Sequence, residues 1–366
     1  MAKVLISTGE ASGDSIGAAL VSEMRILGFE GEFFAIGGKR LRESGCTMLC
    51  DSSHWGAMGI YQALIVAPRV MKDYYRLKSW LKRNKPQLVI AVDFGYFNVR
   101  FCRYAKKLGC KTLYFVPPGS WRRNKQGKDL PLIADKIATP FSWSAEILNT
   151  MGANAEWVGH PIYQIAQRNA SSDRKYLAIL PGSRHHEVSN NLAAIALAID
   201  KTQLPVGVTP RIVAAPNISN EYLISEWSKH TTTPVSISTE PATVTLQASV
   251  AAVICSGTAT LEAAICDCPM VVVYRINKMM ELEYRIRKPK FDYISLPSIL
   301  LGSKVVTELI HYYATPIAIV QELESLLSDT KARRNQLNAF EQIREMLGAP
   351  NGVTRTAEIA MELLNG

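Results

Sequence analysis

The run Leu88-Val89-Ile90-Ala91-Val92-Asp93 constrains this chain most, because five consecutive apolar residues close on a carboxylate. A strand without polar alternation has to be covered on both faces, and helices flanking a parallel sheet provide that cover. The same unit recurs. Lys3–Ser7 reads as a short buried strand, Gly9-Glu10-Ala11-Ser12-Gly13-Asp14 as a loop, and residues 15–27 as a helix. Residues 33–36 and 112–116 predict further strands, with a helix over 101–108 between them. After a polar pause at 167–175, Tyr176–Leu180 restarts the cycle before the loop Pro181-Gly182-Ser183-Arg184 and a helix near Glu187. Strands are predicted over 211–215, 235–238, 250–255 and Met270–Tyr274, and helices over 317–327 and 354–364. Alternation of this kind gives βαβ units and parallel sheets.

The 366 residues exceed one ordinary core and suit two domains. We expect two Rossmann-like doubly wound α/β domains facing across a cleft, over 1–168 and 169–345, with a helix at 346–366 packing back on the first. Hydrophobic residues at 48% and charged residues at 20% exclude a disordered or fibrous chain. The N-terminus lacks a signal-peptide pattern, and no apolar stretch approaches the roughly 20 residues of a membrane span, so a cytoplasmic address is expected. Seven cysteines, an odd number at irregular positions, read as reduced thiols. Neither Cys46/Cys50 nor Cys266/Cys268 has a second pair at zinc spacing, so no metal is expected.

A net charge of +9 draws phosphates. The cations are densest at Arg69, Lys72, Arg76, Lys78, Lys82 and Arg83, and no nucleic-acid module accompanies them. Phosphorylated small molecules or a membrane surface are therefore the expected partners, and nucleic acid is not. Ile60, Leu64, Ile65, Val66, Val70, Met71, Leu77, Trp80 and Leu81 mingle with those cations. They form either a membrane-docking patch or the core faces of two surface helices, since Pro68 should interrupt one straight helix.

Four loops carry chemistry. The glycines at 9, 13 and 17 match neither GxGxxG nor a Walker loop, but a glycine-rich turn before a helix lets a ligand approach, and Glu10 adds a carboxylate. Asp93 ends its strand either as a general base of raised pKa or as a helix N-cap. Arg184 offers a bidentate fork for a pyrophosphate. Ser256-Gly257-Thr258 opens a helix whose amides suit an anion without metal, and Glu262 one turn on could reach ribose hydroxyls. His160, in Val158-Gly159-His160-Pro161, is the candidate among the histidines.

Taken in order, these stretches resemble one family, lipid-A-disaccharide synthase, an inverting glycosyltransferase of GT-B type. The similar segments are residues 9–14, Ala57-Met58-Gly59-Ile60, 93–98, Gly159-His160, 180–184 with Glu187-Val188, Ser256 to Ala259 with Leu261-Glu262, 268–272, Tyr274-Arg275 and 292–297. The resemblance implies transfer from UDP-2,3-diacylglucosamine to 2,3-diacylglucosamine 1-phosphate, giving a β-1,6 disaccharide and UDP, with no cofactor. It implies that Asp93 is the base for the acceptor 6-hydroxyl, with Glu10 beside it. Arg184 and Ser256-Gly257-Thr258 would hold the diphosphate, and Glu262 the ribose. Substrate contact would extend to Gly9, Ser12, Gly13, Asn98, His160, Gly182, Ser183 and Tyr274. The partners implied are the donor, the phosphoglycolipid acceptor and the inner membrane leaflet, with a homodimer open.

Three departures from the family pattern stand out. Its Ser-Pro-x-Val-Trp-Ala-Trp run is here Val116-Pro117-Pro118-Gly119-Ser120-Trp121-Arg122-Arg123, Gly95 replaces a proline, and Leu296-Pro297-Ser298 ends in serine instead of asparagine. The last removes an amide expected to contact UDP. The competing readings are another GT-B transferase or a UDP-sugar epimerase acting on a soluble sugar, and a relative that binds without turnover.

Overall fold

The computed structural model describes residues 1–53, 55, 60–166, 173–276, 281 and 292–366. The motif residues Ala57-Met58-Gly59, residues 167–172 of the polar pause and the side chains of residues 60–64 lie outside that description. The chain forms two compact units, Met1–Ile165 with Leu347–Gly366, and Ala166–Met346.

The first unit runs β1 (Lys3–Ser7), α1 (Ala11–Ile26), β2 (Glu32–Gly37), α2 (Lys39–Glu43), β3 (Thr47–Asp51), α3 (Ile60–Asn84), β4 (Leu88–Val92) and α4 (Gly95–Lys107). β5 (Lys111–Phe115), α5 (Leu130–Ile133), β6 (Lys136–Thr139), α6 (Ser142–Thr150), β7 (Ala155–Trp157) and α7 (Pro161–Ile165) follow. All its strands pair in parallel in the order β3-β2-β1-β4-β5-β6-β7. The apolar run of β4 is explained by where its alternate residues go. Ile90 and Val92 pack with Val4, Ile6, Leu20 and Met24, while Val89 packs on the other face with Leu5, Phe97, Phe101, Leu77 and Leu81. Burying a side chain of this size contributes about 1.5–3 kcal/mol, so neither face tolerates a polar residue.

α3 is a correction to the expected interruption. It is one helix with Pro68 inside it. Pro68 is exposed, so water can satisfy the carbonyl its missing N–H leaves unpaired. The helix also divides its apolar residues: Leu77 and Leu81 are core, whereas Ile65 and Met71 are exposed.

The second unit comprises β8 (Tyr176–Leu180), α8 (His185–Ile199), β9 (Thr209–Val213), α9 (Asn220–Ser228), β10 (Ser236–Ser238), α10 (Ala242–Gln247) and β11 (Ser249–Ile254). α11 (Thr258–Ile265), β12 (Met270–Tyr274), α12 (Leu296–Leu301), β13 (Thr307–Ile310), α13 (Pro316–Leu327) and α14 (Lys331–Leu347) complete it. Its parallel sheet is ordered β10-β9-β8-β11-β12-β13. α15 (Gly352–Asn365) belongs to the first unit, where Val353, Ala357 and Ala360 share a core with Ile16, Leu20 and Met24 of α1.

In each sheet the winding reverses once, between β1 and β4 in the first unit and between β8 and β11 in the second. Ligands of open α/β sheets gather at the carboxyl ends of the strands beside such a reversal.

Candidate active site

Both candidate carboxylates of the first unit stand at its reversal, Glu10 in the loop after β1 and Asp93 directly after β4. Asp93 and Phe94 both adopt left-handed backbone, φ 49° and 47°, and Val116 after β5 does so at 54°. Such conformations in non-glycine residues cost on the order of 1–3 kcal/mol each and persist only when the surroundings over-determine them. Here they do. The Asp93 carbonyl accepts from the Tyr114 hydroxyl at 2.8 Å and from Asn98 Nδ2 at 2.9 Å, and its N–H donates to the Phe115 carbonyl at 3.1 Å. The Phe94 ring lies over Gly9, where a Cβ would come within 2.0 Å of it, so position 9 admits no side chain while that ring stays. Trp55 packs on Phe97, with ring centroids 4.7 Å apart.

Asp93 is exposed to solvent as a residue, although neighbouring atoms crowd its carboxyl. That crowding pushes its carboxyl up to about 6, the charge of Glu10 adds to the rise, and the Phe94 amide opposes it. The pair is thus a base poised near neutrality beside a second acid.

Asn98 differs from its expected role in substrate contact. It is fully buried: Oδ1 accepts from the Ser7 hydroxyl at 2.6 Å, and Nδ2 donates to the carbonyls of Ser7, Val92 and Asp93. With both ends of the amide occupied, it ties β1 to β4 and fixes the strained turn. His160 is likewise turned inward, its Nδ1 accepting the Ile162 N–H at 3.2 Å and its ring lying 5.5 Å from that of Phe141. Burial lowers it to about 3, so it is neutral and serves the start of α7. Ser12 is half-buried in the first turn of α1, and Gly13 is buried with room for a Cβ at 3.4 Å from Thr8.

Asp14 carried no expectation. Its carboxylate accepts from Gly38 N at 2.6 Å and Arg40 N at 2.8 Å, which anchors the start of α2 to α1. Its legible signal was an acid in a glycine-rich loop with a Gly37-Gly38 pair downstream.

In the second unit the loops after β8, β11 and β12 share one edge of the sheet, since these strands are adjacent and parallel. Gly182 at φ 134° is required twice over, because a Cβ there would also meet Glu187 Cβ at 2.5 Å. Glu187 Oε2 accepts the Ser183 N–H at 2.9 Å and Oε1 lies 2.7 Å from Arg184 Nη1. The Ser183 amide is therefore satisfied within the loop, and the same Glu187 also holds the Arg184 guanidinium. Asn191 joins this loop to the one after β12, donating to the Pro181 carbonyl at 2.9 Å and accepting the Arg275 N–H at 2.8 Å.

Gly257 at φ 147° precedes α11, in a conformation essentially restricted to glycine. The Ser256 hydroxyl donates to the Ile294 carbonyl at 2.7 Å, and the Leu296 N–H donates to Thr260 Oγ1 at 3.2 Å. Glu308 accepts the N–H groups of Ile294 and Ser295, each at 2.9 Å. Ser298, where the family pattern has asparagine, is fully buried, and its hydroxyl accepts from Val305 N at 3.2 Å. Burial pushes half-buried Glu262 up to about 7 and raises the Tyr274 phenol as well. Asn191 and Glu308, the two cross-links of this edge, gave no signal in the sequence.

All seven cysteines are buried thiols. Among the described residues no three His, Cys, Asp or Glu side chains gather as a metal-ligand set, and no helix is long and apolar enough to cross a membrane.

Solved structures share this two-unit architecture. S. aureus MnaA, solved with UDP, matches with a TM-score of 0.66 at 12% identity, covering 100% of this chain and 97% of that one. MurG of Acinetobacter baumannii matches at 0.59 and 13% identity, covering 99% and 100%. At these identities the likeness shows the fold. Sequence goes further: lipid-A-disaccharide synthases of Myxococcus xanthus and Trichlorobacter lovleyi are 32% and 30% identical, each over 99% of this chain and 97% of its own length. The lipid-A-disaccharide synthetase family model matches residues 4–361. Two doubly wound units, a carboxylate pair at one reversal and glycine-turned loops at the other thus coincide with a match along the whole chain, which belongs to the lipid-A-disaccharide synthetase family of glycosyltransferases.

Proposed function

We propose that this chain joins UDP-2,3-diacylglucosamine to 2,3-diacylglucosamine 1-phosphate with Asp93 as the general base. The Asp93 carboxylate takes the proton of the acceptor 6-hydroxyl as that oxygen attacks C1 of the donor. The bond from C1 to the UDP oxygen breaks on the opposite face, so the linkage forms with inversion and UDP leaves. Glu10 keeps Asp93 from ionising too readily, which matches its basicity to neutral pH. The Arg184 guanidinium, the Ser183 hydroxyl and the amides opening α11 take the charge developing on the diphosphate, and Glu262 takes a ribose hydroxyl. The observation that carries this reading is the Asp93 carboxyl, raised to about 6 on a strained turn beside Glu10.

The acceptor and donor are both acylated, so we also propose that the chain works at the cytoplasmic face of a membrane, as a peripheral protein. Ile65 and Met71, exposed on a cation-rich helix, support this reading. Incubation of purified protein with the two lipids tests the activity. Release of UDP together with a tetraacyl disaccharide is expected, and UDP release without disaccharide would overturn the transfer reading.

A further inference from the structure

α4 carries four cations, Arg100, Arg103, Lys106 and Lys107, and no carboxylate. Arg100, Arg103, Tyr104 and Lys107 recur at helical spacing and so share one face. Tyr74 and Lys78 of α3 meet that face, and these six residues line an open groove of about 290 Å³. The Lys78 ammonium lies 4.2 Å from the centroid of the Tyr104 ring and 5.4 Å from that of Tyr74, so aromatic faces hold it in place. Arg103 meets Asp129 at 2.9 Å, and Arg100 donates to the Tyr96 carbonyl at 3.2 Å. Among the described residues, Lys78, Arg100 and Lys107 have no carboxylate within ion-pair distance.

Four like charges around one concavity, only Arg103 of them meeting a carboxylate, raise the local potential for an anion with several oxygens. We propose that this groove binds a phosphate group, with Lys78, Arg100, Arg103 and Lys107 on its oxygens and Tyr74 and Tyr104 as walls. The same two helices expose Met71, Tyr75 and Tyr96, the last at 88%, which suits a phosphate carried by an apolar assembly. The ligand is then the headgroup of an anionic phospholipid. That source rests on the membrane reading above, whereas the phosphate site does not.

Sedimentation with phosphatidylcholine vesicles, with and without phosphatidylglycerol, tests the source. The paired variant Arg100→Gln with Lys107→Gln should lower partition onto the anionic vesicles by about tenfold. Lys201→Gln with Lys331→Gln removes the same charge from exposed positions of the second unit and should lower it by less than about twofold. Equal losses in the two pairs would overturn the lipid-headgroup site in favour of diffuse attraction. Inorganic phosphate supplies the second arm, read by amide chemical shifts around Tyr104 with the Arg100/Lys107 pair as control. If vesicles do not bind but phosphate moves those amides in the unaltered protein alone, the membrane reading falls and the phosphate site stands. Amides that phosphate leaves unmoved, or moves equally in the paired variant, overturn the site. Matching circular dichroism melts verify that the variants fold.

Discussion

The two units share a strand order but handle strain at their reversals in opposite ways. In the first, positive φ falls on Asp93, Phe94 and Val116, residues with side chains. In the second it falls on Gly182 and Gly257 at the reversal itself, and on His311 only after the outer strand β13. Under the function proposed above, the difference follows from what each edge would present. A base has to be a side chain, so strain on a carboxylate, held by Asn98, Tyr114 and a ring stacked over Gly9, would serve the first unit. A diphosphate would be met by backbone amides and a guanidinium, so the second unit could place glycine where the chain turns sharply and let its loops be cross-linked by Asn191 and Glu308.

The hardest blow to this contrast is Asp93→Asn. The amide keeps the shape and the backbone hydrogen bonds but cannot take a proton. Turnover should fall by about 10²-fold or more, the worth of a general base, while UDP affinity by calorimetry stays within about twofold. In the unaltered enzyme the rate should drop as pH falls through about 6, where the carboxyl protonates. A variant with near-normal turnover would remove Asp93 from the base role and leave its strain unexplained.

Arg184→Ala strikes the other edge. It should weaken UDP binding by about 1.5–3 kcal/mol, the value of a hydrogen bond to a charged group. Glu187, left 4% exposed without its 2.7 Å partner, adds a stability loss, so calorimetry has to be read beside a thermal melt. Arg184→Lys should recover little affinity, because an ammonium lacks the two-pronged geometry. Unchanged UDP affinity in the alanine variant would move the diphosphate away from the loop after β8.

Strain itself can be separated at the two edges by a third comparison. Gly9→Ala sets a methyl 2.0 Å from the Phe94 ring, whereas Gly257→Ala meets no atom within 4 Å and suffers only from its φ of 147°. Each should cost about 1–3 kcal/mol, the first through overpacking and the second through the backbone. Only the first should be relieved by truncating a neighbour. In a double-mutant cycle, Phe94→Ala should recover most of the Gly9→Ala loss, while no such rescue exists for Gly257→Ala. Additive effects at 9 and 94 would show that the ring is free to leave.

The sequence made the alternation legible because both-face burial forces apolar runs such as β4, β11 and β12. Short strands escaped: β3, Thr-Met-Leu-Cys-Asp, mixes polarity at the sheet edge, and β6 and β7 are four and three residues long. α3 continues through Pro68 because proline disrupts a helix least on its wet side, and burial is not written in the residues around it. Asp93 and Glu10 stood out as carboxylates at strand ends, but nothing in Asp-Phe-Gly signals left-handed backbone. Asn98 enters as a substrate contact only through the family resemblance, and its burial turns on contacts that no motif displays. Its partners Ser7 and Val92 lie on two different strands, and a one-dimensional pattern cannot show that convergence. Gly95 and the altered loop after β5 are linked in the same hidden way, since a Cβ on Gly95 would come 2.8 Å from Pro118.

The smallest expected effect compares the one raised carboxylate at each edge. Asp93 is raised from 3.8 to about 6 by crowding with help from Glu10, and Glu262 from 4.5 to about 7 by burial alone. A folded-state value above the unfolded one means that the charged form is disfavoured in the fold. Its stabilising share is full below the unfolded value and is lost as pH rises through the folded value. Asp93→Asn should therefore melt with the parent protein at pH 3.5 and above it by pH 7, the gap opening between about pH 4 and 6. Glu262→Gln should open its gap later, between about pH 4.5 and 7. Glu10→Gln separates the two causes. It removes the neighbouring charge, so the gain from Asp93→Asn should shrink in that background while the gain from Glu262→Gln holds. Both carboxylates are partly hydrated, so each gap should be a few degrees at most. A gap that does not change with pH, or a Glu262 gap that follows Glu10, would break the assignment of burial alone to one edge and burial with a neighbouring charge to the other.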